Sequence, residues 1–217
     1  MINTIGAELI ESIEDAHRAT HVIPSNGVVE MRRTAKLMVC LCTTAIILHM
    51  DWLEHSSEQQ CILDTEDYLL IGKRRDIEAE SRYKFSLEET IQNGLLAREN
   101  LGGVLGGWSV YICNGVAGNK FPDLEQLRLI IKAAGGSVQE SLPNSSLDKT
   151  LLLTSDWTSV PNGMEGARIL TQADFLRVIM TQNPYNIGMY IFTLSLSYNN
   201  SLTLISSTRF HSDFLIY

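Results

Sequence analysis

At 217 residues, with 45% apolar residues and a net charge of −8, the chain is long enough to bury real cores and too acidic for broad contact with a nucleic-acid backbone. Counterion release along such a backbone needs clustered Lys and Arg. Its longest apolar run, Leu37 to Leu48, falls far short of the roughly 20 residues that cross a bilayer, and neither a membrane span nor a membrane partner is expected. The opening MINTIGAELIESIEDAHR puts acidic residues where a secretory signal needs a basic start, so none is expected.

Cys40, Cys42, Cys61 and Cys113 are scattered, without the paired two-residue gaps of a zinc site. They are expected to be reduced, buried thiols in a reducing compartment. No metal and no cofactor is expected. The histidines show no ligand spacing, and no nucleophile pattern appears, so the chain does not read as an enzyme.

Taken in chain order, residues 5 to 23 read as a glycine turn, a strand from Glu8 to Ser12 and a second strand around Thr20 to Ile23. After a loop at Pro24, Asn26 and Gly27, apolar residues recur at helical intervals through Ala35, Leu37, Met38, Leu41 and Cys42. That spacing predicts a helix over Arg32 to Thr44. Ala45 to Leu48 is a short buried strand, and Met50 to Gln60 form a helix carrying Trp52 and Leu53. Residues 61 to 107 read as a connector with one helix, Ser86 to Gly94, and a flexible glycine-rich ending, LGGVLGG.

The pattern then restarts. Strands are predicted at WSVYICNGV, SVQES, KTLLLTS and ARIL, and helices at Asp123 to Ala134 and Gln172 to Thr181. GAELIES (Gly6 to Ser12) matches GGSVQES (Gly135 to Ser141), and MDWLEHS (Met50 to Ser56) matches ADFLRVI (Ala173 to Ile179). An internal repeat follows, with boundaries at 1–60 for the first unit, 61–107 for the linker, 108–184 for the second unit and 185–217 for a tail. The first unit lacks the strand and helix that open the second.

The glycine turn, ATHVI, RRTAK, MDWLEHS, YKFSLEETI and Gly135-Gly136, in that order and spacing, resemble the BRCT family, and in particular the tandem BRCT pairs of DNA-damage checkpoint mediators. The resemblance covers about residues 5 to 182. It implies an α/β fold of two repeats, each a small parallel four-stranded sheet flanked by helices, the first without its first strand and helix. Met1 would then be an internal methionine or a misplaced start. The tail after Pro184 departs from the family's ending. Gly188-Met189-Tyr190 can be encoded by a splice-donor sequence, so the tail is expected to be translated intron.

The resemblance further implies a nuclear, non-enzymatic reader of a phosphorylated protein tail, such as that of a histone variant phosphorylated at DNA breaks, with no direct nucleic-acid contact. Lys36 corresponds to the family's phosphate-binding lysine, and Thr34 would orient the helix start beside it; the hydroxyl and glycine of the absent strand would complete that site. Arg33 corresponds to the arginine that meets the third residue after the phosphate, or a terminal carboxylate, through bidentate hydrogen bonds. Met38 and Phe121 would line the pocket for that third side chain. The alternative is a phosphate-independent scaffold or self-association module, favoured by the uncovered sheet edge.

Overall fold

The computed structural model describes residues 1–188 apart from 27–28, 119, 143–148, 157–159, 163 and 165–166. The expected translated-intron tail therefore lies almost wholly outside the described residues, which reach it only in a 3₁₀ turn at Pro184–Gly188.

The second half of the chain builds a parallel sheet. Strands β1 (Ser109–Ile112), β2 (Ser137–Gln139), β3 (Thr150–Thr154) and β4 (Arg168–Thr171) are ordered β2-β1-β3-β4. Val110 sits opposite Val138 on one side and Leu151 on the other. Every residue of β3 is buried, as a strand covered on both faces requires, and its TLLLT run is accordingly apolar without alternation. Two helices flank this sheet, α5 (Leu124–Ala133) and α6 (Gln172–Thr181). Asp123 starts α5 with a capping box, its carboxylate accepting from Gln126 N while the Gln126 side chain accepts from Asp123 N.

The first half is helical where helices are expected and loses its strands. Helix α1 (Ala35–Thr43) begins at the N-cap Thr34, and α2 is Asp51–Glu58. Instead of strands at Glu8–Ser12, Thr20–Ile23 and Ala45–Leu48, the only bridges among the described residues there are single ones, Val22 parallel to Ile47 and Leu48 antiparallel to Leu69. The physical reason is visible in the other half. There β1 lies between β2 and β3 and satisfies both, and no described residue occupies that central place in the first half. Backbone carbonyls left without a ladder must find other donors, and those of Ile10 and Glu11 take the Lys36 ammonium instead.

The connector is not loose. It carries α3 (Ile77–Tyr83), which the charged stretch concealed, and α4 (Leu87–Leu101), longer than predicted. Asp76 caps α3 and also accepts from Met31 N at 2.6 Å, which ties the connector to the first half. The glycine-rich ending is packed, with Val104 and Leu105 buried and Leu105 N donating to Ala134 O at 2.8 Å. Gly103 (φ +131°) lies so close to α5 that a Cβ there would overlap the Ala134 carbonyl. Its glycine serves close approach rather than flexibility.

One apolar core runs through both halves. Helix α1 packs on α5, α4 and α6, placing Leu37, Met38, Leu41 and Cys42 in the same buried cluster as Leu127, Ile130, Ile131 and Phe175. Polar groups at this junction are paired. Thr90 Oγ1 donates to Met180 O at 2.7 Å, Asn93 to Thr181 O at 3.0 Å, Arg98 to Cys42 O at 3.2 Å, and the buried Gln182 amide to Ile179 O and Cys42 Sγ. A smaller cluster of Ile5, Leu48, Trp52 and Leu53 lies at the first half's outer end. Among the described residues, no helix is long and apolar enough to cross a membrane.

Three of the four cysteines are buried; Cys61 is exposed, contrary to expectation. It follows the end of α2 in a polar turn, where nothing packs over it. Burial pushes the Cys42 thiol up to about 12, which keeps it protonated at neutral pH and a poor nucleophile.

Candidate functional site

The first turn of α1 gathers three of the five residues singled out in the sequence. Thr34 is the N-cap, and its hydroxyl accepts from Leu37 N at 3.1 Å, satisfying one of the free amides of the helix start. Lys36 lies two residues on, its Nζ donating to Ile10 O and to Glu11 O, the latter at 2.9 Å. An ammonium has three donors, so the carbonyls engage two and leave one. Arg33 precedes the cap, its guanidinium lying over the Tyr83 ring at 5.0 Å while its backbone N–H donates to the Tyr83 hydroxyl at 3.3 Å. Helix α3 of the connector thus fixes where Arg33 points.

Met38 closes this turn, its N–H donating to Thr34 O at 3.0 Å, while Phe121 lies outside it. Met38 is only 1% exposed and belongs to the core at the junction of the halves. Phe121 is half-buried in the loop before α5, its ring edge-on to Phe175 with centroids 6.1 Å apart. Neither lines the cleft that opens beside Arg33.

That cleft, of about 200 Å³, is bounded by Arg33, Arg82, Tyr83, Lys84, Ala173, Leu176 and Arg177. It brings together the start of α1, the end of α3 and the first turns of α6, and so exists only because the two halves meet. Sequence reasoning missed Arg82, Lys84 and Arg177. Each reads as an ordinary solvated charge, and no spacing links residues 33, 84 and 177. A second groove of about 480 Å³ runs along α3 and α4 to Asn183 and Asn186, and Lys84 borders both.

Among the described residues, no three His, Cys, Asp or Glu side chains stand close enough to hold a metal ion. The described histidines have structural partners. His21 stacks on Trp52 at 5.0 Å, its pKa lowered by burial, and His55 meets the Tyr68 hydroxyl at 3.0 Å.

No family model matches the chain. The chain is similar to PAX-interacting protein 1 of Bos taurus, 29% identical over 162 residues covering 70% of this chain, and of Mus musculus, 28% identical over the same share. The match spans only 14% and 13% of the length of those relatives. Among solved structures, the BRCT5-BRCT6 domains of S. pombe Brc1 superpose with a TM-score of 0.62 at 18% identity, covering 84% of this chain and 85% of that one. Rtt107p, solved in complex with a phosphorylated histone, superposes with a TM-score of 0.52 at 16% identity, covering 84% and 79%.

Proposed function

Because the chain has the fold of a tandem BRCT pair, we propose that it is a non-enzymatic module of the nuclear DNA-damage response that docks a phosphoserine tail, such as a phosphorylated histone tail, where the two repeats meet. The observation that carries this reading is that Arg33, Thr34 and Lys36 follow one another at the capped amino terminus of α1, with Arg33 bordering the inter-repeat cleft. A helix start presents free N–H groups and the positive end of its dipole, and an ammonium beside it adds a full charge. A phosphoserine brings nearly two negative charges and three acceptor oxygens to such a place.

In this reading the remaining donor of Lys36 neutralises the phosphate, Thr34 holds the helix start in register, and Arg33, oriented by Tyr83, meets the peptide beyond the phosphate. Met38 supports the docking face from within the core, and Phe121 from the loop before α5. That Rtt107p was solved with a phosphorylated histone adds support from a protein of the same fold. A fluorescence-polarisation titration with matched phosphorylated and unphosphorylated tails tests the reading. The phosphorylated tail should bind at least about tenfold more tightly, one charge-assisted hydrogen bond contributing roughly 1.5–3 kcal/mol, and Lys36→Ala should erase most of the difference. Equal affinities for the two tails would defeat it.

One observation favours a second reading. Lys36 already holds the Ile10 and Glu11 carbonyls, as a structural lysine would, in which case the module binds an unphosphorylated partner or itself. Capture of partners that survives both phosphatase treatment and Lys36→Ala would select that alternative.

A further inference from the structure

From the lining of the cleft beside Arg33 we infer that it accepts an acidic side chain of the bound peptide, and that Arg177 and Lys84 are the residues that set this preference. The inference rests on the phosphopeptide reading above and adds to it the chemistry of a second contact. The chain carries 17 Lys and Arg against 25 Asp and Glu, so cations are the minority, yet Arg33, Arg82, Lys84 and Arg177 border one cleft of about 200 Å³. They come from three separate elements, so their meeting is a product of the fold and not of a basic run in the sequence.

Two of the four are partly neutralised. Arg82 pairs with Glu30, and Arg177 stands 3.5 Å from Asp174, a carboxylate that also accepts from the Thr171 hydroxyl at 2.6 Å. Neither Arg33 nor Lys84 has an ion pair with a described carboxylate. The cleft therefore carries an excess of about two positive charges, counting four cations against Glu30 and Asp174. Like charges around a concavity with protein walls repel one another and concentrate the field inside it, and an anion entering relieves that repulsion.

The apolar part of the lining is small, Leu176 and Ala173, and Tyr83 is occupied by stacking under Arg33. The buried apolar surface that would reward a large hydrophobic side chain lies elsewhere, with Met38 and Phe175 sealed in the core. Arg177 supplies a planar fork suited to a carboxylate. Lys84, held at the carboxy-terminal cap of α3 with φ 55°, supplies a point charge from a different element. The space suits one side chain rather than a second helix or strand.

The test uses the whole chain and amide-capped phosphoserine peptides, so that no terminal carboxylate contributes. Glutamate is walked through the four positions after the phosphoserine, with glutamine and phenylalanine peptides matched at each. At one position glutamate should bind roughly tenfold more tightly than glutamine or phenylalanine, as for one charge-assisted hydrogen bond. Arg177→Gln and Lys84→Ala, both at exposed positions, should each shrink that advantage, while the charge-matched control Lys132→Ala, outside the cleft, should leave it intact. Phenylalanine binding as well as glutamate at every position would overturn the inference while leaving phosphate recognition standing. A glutamate preference that survives both variants would overturn the assignment to this cleft. If no peptide binds in a phosphate-dependent way, the underlying reading falls and this one with it.

Discussion

In the second repeat β1 lies between β2 and β3, and the chain around it becomes a ladder whose strand β3 is buried at every position around three consecutive leucines. In the first repeat the segments around Val22 and Ile47 come no closer to a sheet than one bridge, and the core there is borne by α1 packed on α4, α5 and α6. The two segments have comparable strand character in sequence, so propensity does not explain the difference. A parallel strand needs partners distant in the chain, and one central strand organises both of its neighbours. Without it, a β-prone segment is satisfied piecemeal, here by the Lys36 ammonium and by single backbone pairs. The first repeat accordingly depends on the second for burial.

The most direct way to break this contrast is to truncate the equivalent core aromatics. Phe175→Ala, at a side chain with no exposure in the main core, should cost about 3–5 kcal/mol in urea unfolding. Trp52→Ala, in the smaller outer cluster, should fall at or below the lower end of that range. Equal costs would show the first repeat to be as consolidated as the second.

A smaller effect tests the packed linker. Gly103→Ala places a methyl group on the Ala134 carbonyl at a left-handed φ and should cost about 1–3 kcal/mol, read as a lowered Tm. An unchanged Tm would mean that the linker is free of the second repeat. Next comes Glu80→Ala, which removes the buried carboxylate that accepts from Leu87 N at 2.8 Å and from Arg75, the pair that joins α3 to α4. It should cost about 1–3 kcal/mol, with hydrogen exchange faster at the start of α4 than within β3.

The smallest effect belongs to acid titration of the first repeat. The Arg74 guanidinium, hydrogen-bonded at 2.5 Å, holds the Asp51 carboxyl below its usual range. A depressed carboxyl contributes stability above its unfolded pKa of about 3.9 and loses it as pH falls through the lower folded value. Asp51→Asn should therefore lower stability slightly at pH 7 and make no difference once both states are protonated. Solvent at this partly exposed pair keeps the gain small.

Several features of the chain were readable from local pattern. The recurrence of apolar residues after Arg32 marks α1 to within a few residues, Thr34 is where a cap belongs, Asp123 opens α5, and the run KTLLLTS announces a fully buried strand. Helix caps and buried runs are written in neighbouring residues, so a single sequence reveals them, and the matched segments reveal the duplication. The meeting of Arg33 with Lys84 and Arg177 is of another kind. It depends on how α1, α3 and α6 converge, over separations of some 50 and 140 residues, and no local spacing encodes that convergence. The same holds for the first repeat's strands. Residues 8–12 and 20–23 have the composition of strands, but a strand exists only when a partner presents its own unpaired backbone, and that is settled by tertiary neighbours rather than by the segment.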